Sequence, residues 1–92
     1  MAAQTDQQIA NPRTRVTRYR LAPGATTGWH RHENDYVIVP LTDGRMEMQE
    51  SDGEKVADLK TGVSYFRPAG VEHDVKNASA NELVFVEIEL LS

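Results

Sequence analysis

Cysteine is absent from these 92 residues. No disulfide can staple the fold and no thiolate can ligate a metal, so any metal must be held by nitrogen and oxygen. A basic excess is missing as well. Ten Lys and Arg stand against 14 Asp and Glu, a net charge of -4, without the positive field that nucleic-acid binding requires. No apolar run is long enough to span a membrane. The opening MAAQTDQQIANP has neither the charged start nor the apolar core of a signal peptide, so the expected location is the cytosol, with neither nucleic acid nor membrane as partner. Nor does any longer segment combine a helical period with a capping residue, so little or no helix is expected.

What is present is extended chain with regular punctuation. A domain of this length buries only about 60 to 65 per cent of its unfolded surface, and such small chains often draw stability from a metal or a second subunit. Residues 1–12 are polar and without a period, ending at the turn-favouring Asn11-Pro12, and are expected to form an N-terminal arm ahead of a single domain over 13–92. From Arg13 the residues alternate and β-branched side chains become frequent, predicting a strand that stops at Pro23-Gly24. Further strands are expected over 28–32, 36–41, 45–50, 54–59, 63–67, 72–76 and 82–90, with turns at Thr42-Asp43-Gly44, where the glycine is available for a positive φ, and at Asp52-Gly53. About eight short strands so joined predict an all-β fold, an antiparallel sandwich or small barrel.

Two strands have unusual faces. In the last, Val84, Val86, Ile88 and Leu90 form one apolar face, while Leu83 and Phe85 share the other with Glu87 and Glu89. Over 36–41 both faces are apolar, Tyr36, Ile38 and Pro40 on one and Val37, Val39 and Leu41 on the other. A strand apolar on both sides needs cover beyond one thin core, and a homodimer is the natural expectation.

The chemistry concentrates in three histidines, His30, His32 and His73. Alternate residues of a strand point to one face, so His30-Arg31-His32 aims two imidazoles at one point, a geometry suited to chelating a metal. Trp29 and Arg31 then face away. His73 follows the Pro68-Ala69-Gly70 turn at the start of a strand, and in a barrel it can face the same interior.

These two segments resemble the paired motifs of the cupin superfamily. Gly62, Pro68, Gly70, His73 and Asn77 match every defining position of the second motif, and Gly24, His30, His32 and Gly44 match the first. The resemblance implies a small jelly-roll barrel with a divalent transition metal (iron, nickel, zinc, manganese or copper) on His30, His32 and His73. It is nearest to small single-domain bacterial cupins associated in name with β-alanine degradation. One departure matters. Where the family usually has a glutamate, Tyr36 stands four residues after His32 and Val37 five after it. Without that carboxylate a bound metal keeps a higher positive charge and one more open position. The site then resembles the three-histidine arrangement of some cupin oxygenases, thiol dioxygenases and a diketone-cleaving enzyme among them.

Alternation makes Asn34 and Tyr36 the inward pair, and Tyr36 is the candidate catalytic residue, a hydrogen-bond donor or weak ligand, or else a core aromatic. The alternative is that the histidines are metal-free polar groups satisfied by water and backbone. Asn77 is expected to tie down a turn, and Met46 and Met48 to pack the core. Fold and family leave two functions open. One is a metal-dependent enzyme, oxygenase-like or isomerase- or lyase-like, acting on a small anionic metabolite. The other is a non-catalytic module that binds or senses a small molecule or a metal.

Overall fold

The computed structural model describes residues 1–91. Nine strands follow in order: β1 Gln4–Ala10, β2 Thr14–Leu21, β3 His30–Arg31, β4 Asp35–Pro40, β5 Gly44–Glu50, β6 Gly53–Leu59, β7 Tyr65–Arg67, β8 Glu72–Asn77 and β9 Leu83–Leu90. They pair antiparallel into a five-stranded sheet, β1-β2-β9-β4-β7, and a four-stranded sheet, β3-β8-β5-β6. No helix occurs among the described residues, as the missing helical period predicts.

The sheets face each other, and strand alternation sorts each side chain inward or outward. Met46 and Met48 of β5, Tyr36 and Ile38 of β4, Val75 of β8 and Leu83 and Phe85 of β9 are all buried between the layers, with Leu21, Ala25 and Leu59 completing the core. The two methionines are thus packing residues. Asn77 closes the end of the barrel away from the histidines: its amide donates to the carbonyls of Leu21 and Asn81 at 2.8 Å each, and its oxygen accepts from the Ser79 amide at 2.8 Å. That is the expected structural role.

Two features depart from expectation. The segment read as an arm is a strand: Gln4–Ala10 pairs along β2, yet all seven residues are exposed. Edge pairing needs only backbone groups, so a polar segment without a period can still form a strand. Gly44 does not supply a positive φ. It sits at the start of β5, where an added Cβ would come within 2.7 Å of both Leu83 Cδ1 and Ser79 Oγ, so the position calls for a missing side chain. The sequence left open which face of β9 turns inward; the mixed face does, burying Phe85 and Glu87, while the wholly apolar face carries Val86 and Ile88, half-buried, and the exposed Leu90 outward beyond a buried Val84. The second face of β4 is likewise only half covered in the single chain, at Val37 and Val39.

Candidate metal centre

The site lies where β3 meets β8 at the open end of the barrel. His30 is the direct cross-strand partner of His73, so one ladder position brings together the two halves of the histidine set. His32 follows β3, and its backbone is clamped to the Pro-x-Gly turn: its amide donates to the Val71 carbonyl at 2.8 Å and its carbonyl accepts from the Gly70 amide at 2.8 Å. Gly70 takes a φ of 98°, which side-chain-bearing residues rarely adopt. Asp35 secures the same turn by accepting from the Ala69 amide at 2.8 Å. Trp29 and Arg31 point outward and are more than half exposed, as alternation requires.

Within this frame the imidazoles converge. His30 Nε2 and His73 Nε2 each lie 3.1 Å from His32 Nε2. The opposite edges of the rings face acceptors. His30 Nδ1 is 2.8 Å from the Gly28 carbonyl, and since a carbonyl only accepts, that nitrogen carries a proton and Nε2 is the atom turned to the cluster. His32 Nδ1 stands 3.6 Å from Glu87 Oε1 and His73 Nδ1 3.9 Å from Glu50 Oε2, outside hydrogen-bond reach but with the negative charge on the side where an Nδ1 proton would lie. Burial, reinforced by the neighbouring His30, lowers the pKa of His32 and of His73 to about 4, so both rings are neutral near pH 7. Imidazole nitrogens that aim lone pairs at one another repel unless a proton or a metal cation lies between them. Nitrogens bound at about 2.1 Å and near right angles stand about 3 Å apart, so this donor set fits a divalent metal.

Tyr36 lies beside the cluster, its ring stacked on His32 at 3.9 Å between centroids, and its buried hydroxyl has no hydrogen-bond partner among the described residues. Burial raises the pKa of that hydroxyl, keeping it a proton donor. Asn34 shares the inward side and donates to Glu89 at 3.4 Å. The interior cavity among the histidines, Tyr36, Tyr65 and Phe85 is only about 20 Å³, room for roughly one water-sized group. A mouth of about 360 Å³ opens above it, lined by Thr5, Arg15, Tyr19, Arg31 and Glu87 among others. A small organic ligand therefore has to reach the histidines from the mouth, and part of that mouth comes from the overlooked strand β1.

Sequence reasoning left out the acidic groups around the histidines. Glu50 of β5 and Glu87 of β9 are both buried. Arg67 reaches across from the other sheet to Glu50 at 2.9 Å, and Lys55 joins at 3.0 Å. These cations, Arg67 foremost, hold the Glu50 carboxyl down at about 2. Glu87 has no such partner, and burial pushes it up to about 7. A signal for Glu87 was present: it continues the inward register of Leu83 and Phe85 at strand spacing.

Residues 17–89 match the family model of the cupin domain. The chain is a cupin. It is 55% identical over 83 residues to the Pseudomonas aeruginosa "Beta-alanine degradation protein BauB", covering 90% of this cupin and 87% of that protein. A second relative, the Thermotoga maritima "Oxalate-binding protein", is 30% identical over 74 residues, covering 80% of this chain and 60% of that one. Among solved structures, a cupin domain from Bordetella pertussis superposes with a TM-score of 0.96 at 49% identity, covering 99% of this cupin and 95% of that chain.

Proposed function

We propose that this cupin holds a divalent first-row metal on His30, His32 and His73 and uses it to bind and transform a small anionic metabolite. The observation that carries this is the convergence of the three imidazoles, with the Nε2 atoms of His30 and His73 each 3.1 Å from that of His32 and all three ligand atoms within 4.8 Å of one another. When bound, the metal supplies Lewis acidity and a template for a chelating carboxylate or carbonyl. The protein contributes the remainder. His32 and His73 stay neutral near pH 7, the apolar walls limit water, and the unpartnered Tyr36 hydroxyl donates a hydrogen bond to a ligand oxygen at the site. The name of the 55%-identical relative makes acids derived from β-alanine the first substrates to try.

A second reading is binding without turnover, and it is favoured by the 30%-identical relative named for oxalate binding. Metal analysis of the purified protein, followed by oxygen uptake and product analysis with thiols, diketones and β-alanine-derived acids, separates the two. Metal present with turnover supports the enzyme, whereas metal present with oxalate bound and nothing consumed supports the binding module. His73→Ala should weaken metal binding by more than about 100-fold, beyond the usual effect of losing an outer-sphere partner. Unchanged metal content in that variant would overturn the site.

We further propose a homodimer formed through the outer face of the five-stranded sheet. Ile9, Val16, Ile88, Val37 and Phe66 align there in one cross-strand row, with Ile9 and Phe66 about half exposed. A monomer at micromolar concentration in sedimentation would refute it.

A further inference from the structure

The first motif of this chain lacks its usual carboxylate, with Tyr36 and Val37 standing where it would fall. We propose that Glu87, from the last strand, supplies the missing negative charge from behind His32, as a positioning residue and not as a ligand. This rests on the three-histidine metal site proposed above.

Three observations carry it. First, Glu87 lies at the edge of His32 opposite the converging nitrogens: its Oε1 is 3.6 Å from Nδ1, whereas Nε2 faces His30 and His73. It therefore stands outside the set of atoms able to share one ion, which comprises the three histidines alone among the described residues. Second, no cation pairs directly with its charge, which the Tyr19 hydroxyl and the more distant Arg15 offset only in part. Glu50 is met by Arg67 and Lys55, and Glu89 by Arg15 at 2.8 Å, but no Lys or Arg pairs with Glu87 among the described residues although it is only 5% exposed. An ionised carboxylate so buried is strongly disfavoured unless an opposite charge compensates it. A metal ion on the far side of one imidazole is the compensation this site can offer, and a hydrogen-bonded carboxylate behind a ligating histidine is a recurrent way to orient the ring and raise its basicity.

Third, His32 needs an orienting group that its other contacts do not provide. Stacking on Tyr36 fixes the plane of the ring, but a half-turn about the Cβ–Cγ bond keeps that plane and would carry Nε2 away from the site. A carboxylate beside Nδ1 favours the N–H there and so selects the productive orientation. Charge and orientation thus come from one residue, placed by the inward register of β9.

The test compares wild type with Glu87→Leu, Glu87→Gln and the neighbouring Glu89→Gln. Zn(II) affinity is measured by competition with a chelator, Co(II) absorption reports the ligand field, and the melting temperature is taken on the metal-free protein. Glu87→Leu should weaken Zn(II) binding by about 10- to 100-fold and shift the Co(II) spectrum. Glu87→Gln, which keeps an acceptor oxygen but loses the charge, should fall between Glu87→Leu and wild type. Metal-free melting temperatures of both should equal or exceed wild type, so that affinity and stability move apart, as a merely structural role would not allow. Glu89→Gln should leave affinity near wild type. The proposal is overturned if Glu87→Leu binds Zn(II) like wild type, or if Glu89→Gln loses as much. Should Glu87→Leu fail to fold, wild-type affinity in a folded Glu87→Gln is decisive against it. Wild type that binds no metal would instead refute the underlying site.

Discussion

Two sides of the histidine cluster hold a buried glutamate, and they treat it in opposite ways. On the β5–β8 side, Glu50 is tied to Arg67 from the facing sheet and to Lys55 from β6, and these cations keep it ionised down to about 2. On the β9 side, Glu87 sits among Tyr19, Phe85 and His32 with no cation, and burial raises it to about 7. The difference shows that burial alone does not assign a role to a carboxylate. Glu50 is spent within the protein as a link between sheets, whereas the charge of Glu87 stays available to whatever occupies the site.

The largest effect should come from breaking the satisfied side. Arg67→Met leaves Glu50 buried with Lys55 alone, and we expect a loss of about 2 to 3 kcal/mol in urea denaturation, below the full range for a buried pair because Arg67 is 22% exposed and Lys55 remains. A loss too small to measure would erase the distinction between the two sides.

An intermediate effect should appear in the pH dependence of the metal-free protein. Glu87 has a folded-state pKa of about 7 against an ordinary value of 4.5, so its favourable contribution is present below about 4.5 and is lost as pH rises through about 7. Glu87→Gln should therefore be more stable than wild type at pH 8, with the gain vanishing toward pH 4.5. His32 and His73 run the other way. Their pKa values, lowered from 6.5 to about 4, give a contribution that is present above about 6.5 and lost as pH falls toward 4. Acid should thus destabilise both proteins, and Glu87→Gln more steeply. Thermal melts at several pH values check this, and parallel profiles would contradict it.

The smallest stability change is expected at Tyr36, which touches His32 without pairing to either glutamate. Tyr36→Phe removes a buried hydroxyl that has no partner, so the metal-free protein should keep its stability or gain up to about 1 kcal/mol. If the hydroxyl donates to a bound ligand, turnover should fall about 100-fold in the same variant. A marked loss of stability would instead reveal an internal partner for the hydroxyl.

Much of this was legible in the chain because short-range rules decide it. Gly-punctuated alternation marked eight of the nine strands, and the His-x-His spacing marked the inward pair. Gly70 and Asn77 fell where the turn before β8 and the turn after it demand them. Strand β1 was missed because its pairing uses backbone groups that every residue carries, leaving no trace in side-chain pattern. Gly44 was assigned to the turn because the side chains that crowd it, Leu83 and Ser79, come from distant sequence.

By itself, then, the sequence determined that the protein is an all-β cupin and which three histidines form the cluster, because strand period and turn chemistry are local. Only the tertiary structure decided which face of β9 turns inward. Both faces read as acceptable, and the choice depends on Tyr19 stacking on Phe85 and on β9 lying between β2 and β4. That choice brings Glu87 to the back of His32 and leaves a row of aliphatic side chains outside. The carboxylate absent from the motif in sequence is thereby answered in space, by a residue 55 positions from its imidazole partner.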